Sequence, residues 1–572
     1  MMHRRRSTTS RTRVAPRNYF GLFSAPVMTL SRKPDRRNDM RIADHQNNTV
    51  VDRGAASWRL GHIIDGVAET TPGATALVIG AQRRRITYAD LAQLVVDHSA
   101  ALLRRGLRAG DVVALQASNS IELVVALLGA VRAGLVVAPL DPTLPWAERR
   151  AWVDRIGARV LLTDAPQPER ASDGNCPQWH LRTAPPSSAH SKLQMLLVAT
   201  DSARAVTGPL SGLTEDDALI MFTSGTTGMP KLLAWTHVNL AAAIDGIADA
   251  YQLNPSDTTV AVMPLFHGHG LIATLLSTLS TGGAVLVPAR GRFSAHTFWD
   301  DAATVGATWY TAVPTIHQIL VEHASADRGG GYRGQFRFIR SCSAPLSPAM
   351  ASRIEATFNA PVLAAYGMTE TTHQASSVLP ASDAYARLHT VGTPTGLSVR
   401  IVDDNGATCP AGITGEIWLR GATVVRGYLG NPDATAGTFV DGWVRSGDLG
   451  TVDGHGNLAV QGRIKELINR GGEKISPEHV EDVLISYPGV DQVAVFGIPD
   501  PLYGERVRAI IVRARGSDLE VADLTSYCQH YLAPFEVPEG VTFADQLPLT
   551  AKGSLDRTKL SDYLLTGERS SG

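Results

Sequence analysis

Residues Thr223 to Lys231 read T-S-G-T-T-G-M-P-K. The hydroxyls of Thr223, Ser224, Thr226 and Thr227 surround Gly225 and Gly228, and Lys231 closes the run. In a turn of this kind, backbone N–H groups and hydroxyls converge on one point and hold phosphate oxygens, while the lysine adds a full positive charge. The spacing departs from the Walker pattern, because Met229-Pro230 precedes the lysine and no Ser or Thr follows it. An ordinary Ser/Thr/Gly surface loop has the same composition, so partners elsewhere must decide. Three groups qualify. Tyr366-Gly367-Met368-Thr369-Glu370 offers a ring to stack on a base, a hydroxyl for a phosphate oxygen and a carboxylate for Mg²⁺. Ser446-Gly447-Asp448 places a carboxylate after a glycine turn, suited to two ribose hydroxyls. Arg463 and Lys465 add cations beyond it. Each also has a plain reading, as a strand-end turn, an S-G-D turn or solvated charge.

The elements that must carry these groups are legible in part. Ala218–Phe222 and the run Leu232, Leu233, Trp235 predict strands on either side of the loop, and the apolar run 361–365 predicts a strand ending at Tyr366. From about Ser57, helical stretches (88–105, 121–132) alternate with β-rich runs (112–116, 136–139). That order argues α/β architecture with largely parallel sheets. A Pro- and Ser-rich interval at 184–192 predicts a surface loop. From Val391, closely spaced glycines punctuate short strands such as 416–420, which predicts a compact β-rich subdomain. Helix and strand return after Gly462, and a domain boundary is expected there.

The composition narrows the class. A chain of 572 residues exceeds one simple core. With 53 basic against 54 acidic residues there is no charge bias toward nucleic acid, and 44% hydrophobic content is in the globular range. The four cysteines have no metal-ligand or disulfide spacing, which points to a reducing cytoplasm. The apolar stretch Ile121 to Leu140 is interrupted by Glu122, Arg132 and glycines, so it reads as a buried helix running into a strand and not as a membrane span. The first 34 residues hold eight Lys/Arg and no acid, without a secretory apolar core, and residues 1–55 are expected to be a disordered basic leader.

Taken together, in this order and spacing, the four groups resemble the adenylate-forming superfamily of acyl-CoA synthetases, luciferases and peptide-synthetase adenylation domains, over roughly Ser57 to Leu564. The resemblance implies an N-terminal domain (56–462) of two α/β sheets plus a β-barrel, and a small mobile α+β C-terminal lid (463–567). It implies use of ATP, Mg²⁺ and CoA: a carboxylate and ATP give an acyl-adenylate, and a thiol then takes the acyl group. By motif, the Thr223–Lys231 loop would wrap the β- and γ-phosphates, Thr369 would hold the α-phosphate and Glu370 the Mg²⁺. Ser343-Ala344-Pro345 and Tyr366-Gly367 would flank the adenine. Asp448 and Arg463 would fix the ribose, Lys465 would be the hinge, and Gly471 and Gly472 would meet the pantetheine arm.

One departure stands near the C-terminus. The superfamily's P-x-T-x-x-G-K pattern appears here as Pro548-Leu549-Thr550-Ala551-Lys552-Gly553-Ser554, with a serine at the lysine position. Lys552, helped by Lys474, is the expected substitute.

Substrate residues follow from the same resemblance. The stretches 291–294, 309–317, 341–345 and 368–374 look most like the oxalate–CoA ligase branch, in which His267, Ser343 and His373 would pair with a second carboxylate. Gly367 and Thr371 depart from that branch, so another short polar acid stays open. So do a fatty- or aryl-acid ligase and, in another class, an adenylate-binding protein impaired by Ser554. A polar wall argues against a fatty chain. CoA is expected as the acceptor in place of a carrier protein, since no Ser-bearing carrier domain follows the last motif.

Overall fold

The computed structural model describes residues 58–164, 176–184, 193–199, 210–223, 230–326, 336–549 and 555–560. All belong to one of the chain's two compact units, Arg53–Gly572. The basic leader, residues 185–192 of the Pro/Ser interval, loop residues Ser224, Gly225, Thr226, Thr227 and Gly228, and residues 550–554 with Lys552 and Ser554 lie outside the described residues.

Among the described residues four sheets form. The first has seven strands. Its centre is Val112–Gln116, flanked by Val136–Leu140 on one side and Val160–Thr163 on the other, all parallel. Every residue of these three strands is buried, the pattern of parallel strands covered on both faces. Asp217–Phe222 joins Val136–Leu140 in parallel and turns back into Leu232–Thr236 as an antiparallel hairpin. Thr223 and Lys231, the ends of the glycine-rich run, stand next to the two strands of that hairpin.

The second sheet has nine strands. Its central parallel run is Thr258–Val260, Trp309–Ala312, Phe338–Ser341 and Val362–Tyr366. Ser343 follows the third of these strands, and Tyr366 ends the fourth. In open α/β sheets the crevice beyond the carboxyl ends of the strands is where ligands bind, and the chemistry-bearing segments gather at those ends.

Ile121–Arg132 is a helix and Val136–Leu140 a strand, as the interrupted apolar stretch implied. Ser120 starts the helix, its Oγ accepting from Leu123 N–H at 3.1 Å. Glu122 is not stranded in the apolar surroundings, because Thr183 donates to its Oε1 through both N–H (3.1 Å) and hydroxyl (2.7 Å). No described helix is long and apolar enough to cross a membrane.

The β-rich subdomain is a five-stranded antiparallel sheet built from Leu397–Val402, Gly415–Gly421, Phe439–Val440, Trp443–Val452 and Leu458–Arg463. It has its own core of Ile401, Ile417, Leu419, Val444 and Leu458. The last sheet runs from Ile468–Arg470 to Gly540–Ala544, and its core includes Ile468, Val480, Leu484, Val495 and Val507. The chain passes between these two sheets through the short 3₁₀ turn Ile464–Glu466. Polar contacts also reach the last sheet's unit: Gln318 Nε2, from the helix Pro314–Ala326, donates to Asp491 Oδ1 at 2.8 Å, and Ser476 Oγ donates to Gln461 O of the five-stranded sheet at 2.6 Å.

Candidate active site

The neck of the Thr223–Lys231 loop is pinned by two hydrogen bonds. Thr223 N donates to Lys231 O at 3.0 Å, and Lys231 N donates to Thr223 Oγ1 at 3.2 Å. The Lys231 ammonium lies 4.2 Å from the centre of the Tyr428 ring, a cation–π contact. Tyr428 reaches that place because its backbone bridges to Leu233 on the strand that leaves the loop. Its hydroxyl donates to Glu370 Oε1 at 2.7 Å. Burial, then Glu370, push the phenol well above its ordinary pKa, so it stays a donor. One tyrosine thus links the loop lysine to the glutamate of the second motif. Nothing in the sequence singles it out; it is an aromatic residue in a glycine-rich run.

Glu370 sits in the 3₁₀ turn Thr369–Thr371 and is buried. The turn is held from behind: Trp235 Nε1 donates to Thr369 O at 2.9 Å and Val425 N to Glu370 O at 2.9 Å. The Thr369 hydroxyl and Glu370 Oε2 have no hydrogen-bond partner among the described residues. A fixed carboxylate with one oxygen unengaged suits Mg²⁺, which takes one or two protein carboxylates and completes its shell with water and phosphate. The described residues contain no cluster of three or more His, Cys, Asp or Glu that would make a closed all-protein metal cage.

Tyr366, Asp448 and Arg463 also come together. Tyr366 OH donates to Asp448 Oδ2 at 2.6 Å, and Arg463 Nε lies 3.1 Å from Asp448 Oδ1. The adjacency is built into the sheet, where Asp448 and Arg463 are register partners. Burial raises the Asp448 carboxyl above its ordinary pKa, while Arg463 and the Tyr366 hydroxyl oppose that shift.

The segment after Tyr366 must fold back tightly. A Cβ on Gly367 would sit 1.6 Å from the His373 carbonyl oxygen, so only glycine fits. Thr372 and His373 both take positive φ (+51° and +86°), a strained path of the kind held at functional sites. The return brings His373 against His269, ring centres 5.3 Å apart and nearly parallel at 26°. His269 Nδ1 lies 3.1 Å from Ser343 Oγ, and its Nε2 lies 2.6 Å from Thr311 Oγ1. Beneath them is Arg340, fully buried, with Nη2 3.1 Å from His373 Nε2. Burial first, then the Arg340 charge, hold both imidazoles well below the ordinary histidine range, so both are neutral. His267, half-buried, adds to the same depression. The segment that carries His269 is a π-helix, His269–Leu276, a geometry that occurs mostly as short pieces at functional sites.

Ser343 belongs to this cluster through His269, while Lys465, Gly471, Gly472 and Lys474 are placed apart from it. Ser343, at φ +73°, opens the Ser343-Ala344-Pro345 turn after its strand. Lys465 is exposed in the 3₁₀ turn. Gly471 and Gly472, both at positive φ, tip the hairpin whose second strand carries exposed Lys474. Among the described residues, no hydrogen bond or ion pair joins Lys465, Gly471, Gly472 or Lys474 to Thr369, Glu370 or Asp448.

Known proteins resemble this arrangement over nearly its whole length. The AMP-binding enzyme family model matches residues 64–429, and the AMP-binding enzyme C-terminal domain model matches 479–554. Oxalate–CoA ligase of Arabidopsis thaliana is 40% identical over 88% of this chain and 98% of its own. The Saccharomyces cerevisiae oxalate–CoA ligase is 34% identical over 86% and 95%. Sulfoacetate–CoA ligase of Cupriavidus necator is 35% identical over 80% and 88%. Among solved structures, ATP-bound MatB from Rhodopseudomonas palustris superposes with a TM-score of 0.74 at 28% identity, covering 88% of this chain and 98% of that one. The o-succinylbenzoate CoA synthetase of Bacillus subtilis, in complex with ATP and magnesium ion, gives 0.73 at 26% identity, covering 88% and 99%.

Proposed function

The chain belongs to the AMP-binding enzyme family, and on that premise we propose that it joins oxalate, or another short polar acid, to coenzyme A. It is an AMP-forming acyl-CoA synthetase that uses ATP, Mg²⁺ and CoA. In the first half-reaction a carboxylate oxygen bonds to the α-phosphorus of ATP and pyrophosphate leaves. In the second, the CoA sulfur bonds to the acyl carbon, AMP leaves, and the thiol proton is released.

The residues take the following parts. Thr223, Ser224, Gly225, Thr226, Thr227, Gly228 and Lys231 surround the outer phosphates. Thr369 offers its hydroxyl to the α-phosphate. Asp448 and Arg463 hold the ribose, and Tyr366 with Ser343-Ala344-Pro345 bounds the base. Glu370 would hold Mg²⁺, which would supply positive charge against the phosphates when bound. Fixed cations and donors around the reacting phosphate contribute by positioning and by stabilising charge that develops there. Lys552, or Lys474, supplies the cation missing at Ser554. The large domain ends at Gly462, and the small one turns about Lys465 to bring Gly471 and Gly472 toward the pantetheine arm. With four free cysteines, the protein suits a reducing, cytoplasmic setting.

The choice of acid is carried by one observation: Ser343, His269 and His373 come together as a polar cluster, and as the wall of the acid site it would lack the apolar contacts that a fatty or aryl chain needs. A pyrophosphate-exchange and thioester screen over oxalate, sulfoacetate, octanoate and ferulate tests it. Turnover with oxalate or sulfoacetate and none with octanoate or ferulate is expected; the reverse overturns the short-acid reading. Exchange with no acid at all favours an adenylate-binding protein that has lost catalysis. Run beside wild type, Lys552→Ala and Lys474→Ala show which lysine substitutes for Ser554, and near-normal exchange in both removes that assignment.

A further inference from the structure

Arg340 lies at the centre of the second sheet, fully buried, and among the described residues it pairs with no carboxylate. A guanidinium donates and never accepts. The Cys342 side chain also faces it, and four further partners must all present acceptors to it: Tyr251 Oη at 2.8 Å, Gln374 Oε1 at 2.9 Å, Thr311 Oγ1 at 3.0 Å and His373 Nε2 at 3.1 Å.

Two chains of protons follow from that one constraint. His373 Nε2 accepts from Arg340, so the single proton of this neutral imidazole is on Nδ1. That atom has no hydrogen-bond partner among the described residues. In the second chain, Thr311 accepts from Arg340, and among the described residues the sole remaining partner for its own hydroxyl proton is His269 Nε2, at 2.6 Å. His269 then carries its proton on Nδ1 and donates to Ser343 Oγ at 3.1 Å. Ser343, having accepted, directs its hydroxyl proton away from His269. Both chains start at the arginine and end in an outward donor.

We propose that Arg340 is a positioning and specificity-determining residue: it fixes the proton polarity of this wall, so that Ser343 Oγ–H and His373 Nδ1–H select an acid whose second group is an anionic acceptor. This rests on the short-acid reading above. Carboxylate and sulfonate both satisfy it, since each offers acceptors only. A buried cation without a counter-ion is costly, and an anion on this wall lowers that cost. An acid with an uncharged tail leaves the cation uncompensated and the donors without acceptors.

The test uses Arg340→Gln and Arg340→Lys in the full chain, with oxalate, sulfoacetate and butanoate as acids. For Arg340→Gln the KM for the anionic acid is expected to rise about 100-fold, the scale of losing charge-assisted donors. The KM for ATP is expected to stay within about 3-fold, because among the described residues no hydrogen bond joins Arg340 to Lys231, Thr369, Glu370, Asp448 or Arg463. The preference for oxalate over butanoate falls with it. Arg340→Lys keeps the charge but not the four-way fork, and recovers part of that preference. In wild type, ¹⁵N spectra of histidine-labelled protein, assigned with His373→Gln, should show His373 protonated on Nδ1.

Two results overturn the proposal: a folded Arg340→Gln that keeps the oxalate-to-butanoate preference, or His373 protonated on Nε2. Should Arg340→Gln not fold, Arg340→Lys and the wild-type tautomer still decide. Should wild type ligate neither anionic acid, the short-acid reading fails by itself, while the tautomer still reports whether Arg340 sets the proton polarity.

Discussion

Tyr428 serves two charged groups at once. Its ring lies under the Lys231 ammonium at 4.2 Å and its hydroxyl is 2.7 Å from Glu370 Oε1. The two functions separate by substitution. Tyr428→Phe keeps the ring and removes the donor, leaving a buried carboxylate oxygen without its partner. A hydrogen bond to a charged group contributes roughly 1.5–3 kcal/mol, so kcat/KM for ATP should fall about 10- to 100-fold, with a higher Mg²⁺ concentration needed for half-maximal rate. Lys231 remains seated on the ring, so the thermal midpoint should move little. Tyr428→Ala removes both contacts and should lose more. If the phenylalanine variant titrates with Mg²⁺ as wild type does, the hydroxyl is not what orients Glu370.

Two neighbouring helices show how far the sequence determines the structure locally. Tyr88–Arg104 and Ile121–Arg132 stand where the apolar spacing expected them, started by Thr87 and Ser120, whose side chains accept from Asp90 N and Leu123 N. Where they cross, His98 of the first meets Gly129 of the second; a Cβ there would come within 3.0 Å of the His98 ring. Both His98 nitrogens are buried without a partner among the described residues, and burial lowers the imidazole to about 4. His98→Leu removes two unsatisfied atoms at similar volume. It should raise unfolding stability in urea by about 1–3 kcal/mol at pH 7; a loss of stability would show that packing against Gly129 outweighs the desolvation. Other features were not legible locally. All eight residues of the π-helix His269–Leu276 are buried, so an apolar run carries no periodicity to distinguish π from α. Arg340 lies in a four-residue strand that is buried throughout. An arginine there reads as a solvent-facing residue until Tyr251, Thr311 and Gln374 arrive from three other parts of the chain. The motif residues were legible because their types are tied to phosphate and ribose chemistry. The supporting residues were not, because their roles come from contacts distant in sequence.

At the scale of the whole molecule, the buried clusters fall into two sets on either side of the 3₁₀ turn Ile464–Glu466. Among the described residues, the clusters that include Leu60 through Leu458 share no member with those that include Ile468 through Leu560. Two cores joined by a short turn should unfold as two cooperative units. They should also differ in their response to acid. His98, His237 and His317 are each lowered to about 4, in each case chiefly by burial, and all three precede the turn. Their folded pKa lies below the unfolded value of about 6.5. Between those two values the unfolded chain binds protons that the folded chain does not. Their stabilising contribution is therefore complete above about pH 6.5 and is lost as pH falls toward 4, by up to about 1.4 kcal/mol per pH unit for each histidine. His269 and His373, also held low, act in the same direction and in the same half. Calorimetry of the full chain should show two transitions at pH 7. On acidification to pH 5, the one belonging to the large domain should fall by more than the other, and a Mg²⁺-bound, non-hydrolysable ATP analogue should raise that same transition. His98→Leu should reduce the acid shift of the large-domain transition alone. A single transition at every pH, or two that move together, would show that the contacts across the turn, Gln318 with Asp491 and Ser476 with Gln461, bind the two cores into one unit.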